Sequence, residues 1–261
     1  HGQVLAGRTV MIAPFNKALP PPLGNWSSAT TDAAGVYAIP DLQPGLHEVF
    51  ISGRVPSEVL RVGALQVDAG AEFVHDIELP GASLGGVVRD AERNEALGIG
   101  VVVAMLRGAN GAYEFVARVF TDSDGRYRFE FLPGGEYRVF AYATRGSLGQ
   151  EVADGIVLVA GEARAGVDLA LHPGGRLALM VRDASGAPVE GATLELVDEN
   201  GITTPFDEHG LSNALGAKEI GGIKPGRWTV QATRAGLGSA RAEVTITAGA
   251  RHALELKLTP Q

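Results

Sequence analysis

Cysteine is missing altogether from the 261 residues of this chain. Disulfides, thiolate nucleophiles and cysteine-ligated metal sites are therefore excluded together. Lysine is scarce as well. Lys17, Lys218, Lys224 and Lys257 are the only lysines among 22 basic residues, a skew characteristic of GC-rich bacterial genomes. Long apolar runs are absent too: Val101 to Leu106 falls far below the ~20 residues a helix needs to cross a bilayer. Neither a basic stretch nor an apolar one opens the chain, so the expectation is a mature or excised segment of a longer protein. No window of ten or more residues carries helical i, i+3, i+4, i+7 apolar spacing free of glycine or turn signals.

What remains is a packed β-protein. Hydrophobic residues make up 45% of the chain, enough for a core and too many for a disordered polyampholyte. The 36 glycines follow no Gly-X-Y period and so mark turns. A net charge of −8 and a pI near 5.3 weigh against a nucleic-acid backbone as partner.

Internal repetition organises these turns. Thr31-Asp32-Ala33-Ala34-Gly35-Val36-Tyr37-Ala38-Ile39, followed by Leu42-Gln43-Pro44-Gly45, returns ninety residues later as Thr121-Asp122-Ser123-Asp124-Gly125-Arg126-Tyr127-Arg128-Phe129 with Leu132-Pro133-Gly134-Gly135. It returns again as Ser212 to Ile220 with Ile223-Lys224-Pro225-Gly226. Each unit closes on an alternating run: Asp76 to Pro80, Asp168 to Leu171, and Glu255 to Leu258. Asp-x-x-Gly between alternating runs reads as a turn with glycine at the positive-φ position, and Pro-Gly before a strand as a second turn. Short alternating strands with turns at such intervals imply all-β sandwiches.

The motifs Gly86-Val87-Val88-Arg89-Asp90, Thr121-Asp122-x-Asp124-Gly125-x-Tyr127-x-Phe129 and Leu132-Pro133-Gly134-Gly135-x-Tyr137-x-Val139 resemble the carboxypeptidase regulatory-like domain. The resemblance implies a seven-stranded, immunoglobulin-like (transthyretin-like) sandwich and an accessory, adhesive or spacer role. The expected organisation is three tandem sandwiches, 1–80, 81–173 and 174–261, the third with a hairpin insertion. Repeats two and three each begin with a strand, Leu84 to Asp90 and Leu177 to Asp183, that the first has no room for ahead of Gly7. The expectation is truncation from a longer parent, the alternative a strand supplied by a partner chain. The short linkers Pro80-Gly81 and Pro173-Gly174 favour a semi-rigid rod.

Chemistry-bearing motifs are few. Thr144-Arg145-Gly146-Ser147 resembles the terminal string of transthyretin-like hydrolases, but it sits at a strand end with no histidines nearby. The six histidines are scattered, as an iron site of the ring-cleaving dioxygenases is not. His47 stands where Tyr137 and Trp228 stand and is expected in the core, while His75 and Glu78 face opposite sides of a strand and cannot share a metal. The isopeptide crosslink of the similar collagen-adhesin repeats needs a lysine, which repeat two lacks. Asp122 to Gly125 reads as a turn and not a calcium loop; the insertion Asp198 to Gly210 reads as two solvated tips around a strand Ile202 to Phe206. No catalytic residue, metal or cofactor is expected.

Two features invite contact. The non-repeated, proline-stiffened loop Pro14 to Ser28 carries Phe15, Asn16, Asn25 and Trp26, a candidate glycan- or protein-binding set, with a lid over its own domain as the plainer reading. Phe140 and Tyr142 alternate to the outer face of their strand and Phe50 stands in the place of Phe140, so these are candidate inter-repeat contacts. The expected role is a non-enzymatic structural or adhesive spacer in a larger secreted or cell-envelope bacterial protein, partnered by neighbouring domains. Accessory domains of an enzyme whose catalytic domain lies elsewhere are the remaining alternative.

Overall fold

The computed structural model describes residues 4–15, 26–52, 58–70, 72, 74–144, 148–204 and 210–260. Among them every regular element is a strand and no helix occurs. Contacts divide the chain into two compact units: His1–Arg89, Ala96–Ala141 and Val152–Leu169 form one, and Asp90–Glu95, Tyr142–Glu151 and Ala170–Gln261 the other.

In chain order the strands are β1 (Thr9–Pro14), β2 (Ser27–Thr30), β3 (Gly45–Ser52), β4 (Val59–Val67), β5 (Ala82–Asp90), β6 (Gly100–Arg107), β7 (Tyr113–Phe120), β8 (Arg126–Leu132), β9 (Gly135–Ala143), β10 (Glu151–Leu158), β11 (Ala163–Arg164) and β12 (Leu169–Leu171). The third repeat adds β13 (Gly175–Arg182), β14 (Thr193–Asp198), β15 (Ala217–Ile223), β16 (Gly226–Arg234), β17 (Gly238–Ile246) and β18 (Arg251–Lys257). The third repeat is a two-layer sandwich, with sheets ordered β15-β13-β18 and β14-β16-β17. Leu177, Leu179, Leu196, Trp228, Val230 and Leu256 are buried in its core.

The Asp-x-x-Gly turn is one device used repeatedly. Asp32, Asp122, Asp183 and Asp198 each accept the N–H groups of residues two and four positions on through one carboxylate oxygen, and Asn213 does so through its amide oxygen. The glycine three residues on takes positive φ, 77° at Gly35, 71° at Gly125 and 71° at Gly216. A hydroxyl bridge repeats beside it. The Gly100 N–H donates to Thr121 Oγ1 at 2.6 Å, and that hydroxyl donates to the Leu97 carbonyl at 2.5 Å. Thr31 and Ser212 make the same pair of bonds, to Arg8 and Leu5 and to Ala192 and Val189.

The structure departs from the sequence expectation in three places. The first two repeats do not have separate sheets: β4 pairs antiparallel with β7 (Val59 opposite Arg118, Leu60 opposite Ala117), giving one eight-stranded sheet β10-β9-β6-β7-β4-β3-β1-β2. In repeat one the segments Val36–Leu42 and Val74–Pro80 keep an in-out alternation of burial but form no ladder. Their counterparts in repeat two, β8 and the segment that contains β12, flank the central strand β5, and no described segment of repeat one occupies that central place. An extended segment without a neighbour to accept and donate along it is not a sheet strand. Within the insertion, Thr203 and Leu211 make only isolated bridges, and 205–209 lie outside the described residues.

Candidate functional site

The loop candidate is described only at its two ends. β1 and β2 pair antiparallel with Ile12 opposite Ser27, so Phe15 and Trp26 lie at the connecting end of one hairpin, beside the sheet edge formed by β2. Both are exposed, Phe15 at 38% and Trp26 at 40%. Asn16 and Asn25 lie outside the described residues, as do Arg145, Gly146 and Ser147.

Phe50 and Phe140 alternate to the outer sheet face, yet they are only 2% and 1% exposed, while Tyr142 is half-buried. Phe50 clusters with Met11 and Val59, and Phe115 of β7 packs against them. The outer face of repeat one thus carries a second hydrophobic layer, in which Phe50 of β3 meets Phe115 of β7.

At the β4–β7 seam lies a site that the sequence did not single out. A cavity of about 100 Å³ is lined by Arg8, Glu58, Arg118, Arg128, Glu130 and Phe131. Glu58 is 3% exposed and its Oε1 accepts the Phe120 N–H at 3.2 Å. Arg8 Nη2 lies 3.9 Å from Glu130 Oε2, and Arg128 Nε lies 3.6 Å from Glu130 Oε1. Ser52 Oγ accepts the Thr9 N–H at 3.2 Å. Glu58 and Arg118 are buried at the pairing of the two sheet edges, while Arg128 and Glu130 stay exposed at the rim. Three arginines and two glutamates gather at the seam, and a cavity this size admits about three waters.

A second polar cluster sits on β6, β7, β9 and β10. Arg138 makes a bidentate ion pair with Asp154 (3.0 and 2.8 Å) and stacks 4.0 Å from the Tyr113 ring centroid. The Tyr113 hydroxyl lies 2.8 Å from Glu136 Oε1 and 3.2 Å from Asp154 Oδ1, and Arg107 donates to Glu136 at 2.9 Å. Desolvation, reinforced by the Glu136 hydrogen bond and the Asp154 charge, pushes the Tyr113 phenol up to about 12. The Arg138 hydrogen bonds hold Asp154 below the ordinary carboxylate range, and the Arg107 hydrogen bond does the same for Glu136. A phenol held protonated between two carboxylates held ionised is a rigid brace with no poised acid or base.

His47 is buried, and its Nε2 donates to the Gln43 carbonyl at 2.7 Å. Tyr137 makes the same bond to Pro133 and Trp228 to Lys224, each four residues back. Three different rings thus tie down the same Pro-Gly turn. Among the described residues no three of His, Asp and Glu converge to hold a metal ion, and no helix is long and apolar enough to cross a membrane.

No curated protein matches this chain in a sequence comparison. Among solved structures, the TIE protein of Bacillus anthracis aligns at 16% identity over 98% of this chain, with a TM-score of 0.31. This chain spans 48% of that protein's length. GBS52, the minor pilin of Streptococcus agalactiae, aligns at 19% identity over 69% of this chain and 97% of its own, with a TM-score of 0.29. The shaft pilin SpaA of Lactobacillus rhamnosus GG aligns at 10% identity over 70% of this chain and 99% of its own, at 0.28. Superpositions this loose carry no functional argument. The family model of the carboxypeptidase regulatory-like domain matches twice, over residues 83–172 and 176–259, which is two thirds of the sequence. The chain belongs to the carboxypeptidase regulatory-like domain family.

Proposed function

We propose that this chain is a non-enzymatic structural or adhesive spacer, built of three repeats, within a larger secreted or cell-envelope bacterial protein whose neighbouring domains are its partners. The observation that carries the reading is the seam between repeats one and two. Their sheets are continuous through β4 and β7, with Met11, Phe50, Val59 and Phe115 packed together there and Arg8 of repeat one 3.9 Å from Glu130 of repeat two. Side chains that would otherwise be free for chemistry here hold two sandwiches together. A spacer benefits from such a seam, because antiparallel backbone pairing resists both bending and separation.

Single-molecule pulling on the whole chain tests this. Repeats one and two are expected to unfold in one event, and Phe50→Asp to split that event in two. Independent unfolding of the two repeats in the unaltered chain would overturn the reading.

A second reading is favoured by the exposure of Phe15 and Trp26 at the connecting end of the hairpin: a binding module for glycans or a protein surface. Apolar ring faces flanked by polar groups suit sugar rings. Trp26→Ala should then abolish capture on a glycan array or envelope extract while changing stability by less than about 0.5 kcal/mol. Unchanged capture removes this reading.

A further inference from the structure

Two asparagine–glycine pairs occur in the chain, Asn110-Gly111 and Asn200-Gly201, and both stand in the same kind of turn. The Gly108 N–H donates to the Ala112 carbonyl at 2.7 Å and the Gly111 N–H to the Gly108 carbonyl at 2.9 Å. The Asp198 N–H donates to the Ile202 carbonyl and the Gly201 N–H to the Asp198 carbonyl, each at 3.0 Å. Gly111 and Gly201 take φ of 81° and 76°, and both asparagines are exposed. The turns differ at their first residue. Asp198 Oδ1 accepts the Asn200 N–H at 2.9 Å and the Ile202 N–H at 2.8 Å. Gly108 has no side chain to do this, and Asn110 Oδ1 itself accepts the Ala112 N–H at 2.9 Å. The Asp198 carboxylate thus relieves Asn200 of the bond that holds Asn110. Among the described residues the Asn200 side chain has no hydrogen-bond partner.

An asparagine amide ahead of glycine is open to attack from the main chain, because glycine places no side chain beside its own nitrogen. The Gly201 nitrogen closes on Asn200 Cγ: a C–N bond forms, the side-chain amide C–N bond breaks, and ammonia leaves carrying the Gly201 proton. Water then opens the cyclic imide. Opening at Cγ gives aspartate. Opening at the main-chain carbonyl gives isoaspartate, whose main chain runs through the former side chain and is one methylene longer. Closure needs a side chain free to turn its Cγ toward the next nitrogen. The Gly111 and Gly201 nitrogens are bonded alike, so the bond on the asparagine side chain is the difference between the two sites.

We propose that Asn200 is a site of spontaneous deamidation in the folded chain, with water as the only co-reactant, and that Asn110 is shielded from the same reaction. The product acts on the turn that holds it. Isoaspartate lengthens the main chain between two N–H groups that share one oxygen, Asp198 Oδ1, and adds a carboxylate beside Asp198 and Glu199. The segment that follows then loosens. It contains Ile202, buried at 8% exposure, and the buried Thr204, whose N–H donates to the Leu196 carbonyl and whose hydroxyl accepts Gln150 Nε2 at 3.1 Å. The change runs one way, so it records the age of the chain. The inference is independent of the spacer reading.

The test stores the whole chain, folded, at neutral pH and follows it by peptide mapping with mass spectrometry. The Asn200 amide should be lost at least about fivefold faster than that of Asn110, the rate equivalent of one hydrogen bond of ~1 kcal/mol. In chain unfolded with guanidinium chloride the two pairs should convert at similar rates. Equal rates in the folded chain, an intact Asn200 over the time in which the unfolded chain converts, or the same gap in the unfolded chain overturns the proposal. Gly108→Asp gives Asn110 the carboxylate that Asn200 has, and the added Cβ lies 3.1 Å from Asn110 Oδ1, a side-chain atom that can move. Conversion at Asn110 should then rise toward that of Asn200, and an unchanged rate overturns the role given to Asp198. If that variant does not fold, the comparison within the unaltered chain decides. Hydrogen exchange over 198–204 should be faster in the isoaspartyl fraction, separated by its added charge, than in fresh chain. Unchanged exchange overturns the loosening.

Discussion

His47 shows how a single residue can be adequate without being the best choice for its place. A carbonyl can only accept, so the Gln43 bond puts the hydrogen on Nε2 and leaves Nδ1 as a buried acceptor without a partner. Tyr137 and Trp228 fill the same position with one donor and nothing left over. His47→Tyr should therefore stabilise the chain by about 1 kcal/mol, the difference between an orphaned buried acceptor and none. A melting temperature unchanged or lowered would show that the pocket around His47 is too small for a phenol. Gly86 is the opposite case, a residue with no acceptable replacement. Gly86→Ala drives a Cβ into the Val167 carbonyl, which is backbone and cannot turn aside. Urea unfolding should report a loss of about 3 kcal/mol, within the range for forced overpacking.

The elements divide by how much of their partner is close in sequence. The hairpins around Asp122-Ser123-Asp124-Gly125 and Asn213-Ala214-Leu215-Gly216 form as read, because the carboxylate or amide and its two N–H donors lie within five residues. β8 and β15 follow from their alternation and a central strand to pair with. Val36–Ile39 alternates equally well and forms no strand, because pairing needs a neighbour that a local pattern cannot supply. Phe50 tests the β4–β7 pairing. Phe50→Ala should cost about 3–5 kcal/mol, as for a buried aromatic, and should lower the unfolding of repeats one and two together. The same substitution at an exposed site would cost under about 0.5 kcal/mol, so the measurement decides whether the outer layer is a core.

At the scale of the whole molecule the response to pH follows from the directions of the shifted groups. Asp154 and Glu136 titrate below their ordinary values, through their arginine partners first, and Asp183 does so chiefly through the Ser185 hydroxyl. A carboxylate with a depressed folded pKa contributes stability that is complete above about pH 4 and is lost as pH falls through the folded value. The melting temperature should hold from pH 8 to 5 and decline below about 4, and Asp154→Asn should flatten that decline. Tyrosines behave in the reverse sense. Tyr113 is raised to about 12, and burial raises Tyr127 and Tyr137 as well. Their contribution is complete below about pH 10, the unfolded value, and is lost as pH rises through the folded ones. Near-ultraviolet absorbance should place phenol ionisation above pH 10, and Tyr113→Phe should remove the component near 12.

Composition, alternation and turn chemistry by themselves determined that the chain is all-β, that it repeats, and where Gly35, Gly125 and Gly216 take positive φ. Each of those depends on groups within a few residues of one another, where local sterics and hydrogen bonding act without a partner. They also placed His47, Tyr137 and Trp228 at one shared inward position. Tertiary structure alone decided that β4 meets β7, that Phe115 is the residue packed on Phe50, that Glu58 and Arg118 are enclosed, and that Tyr37 bridges to His75. The physical reason is common to all four. A strand edge, an outer sheet face or a charged side chain carries the same local signature whether it meets water or another segment, and which it meets is settled by residues tens of positions away.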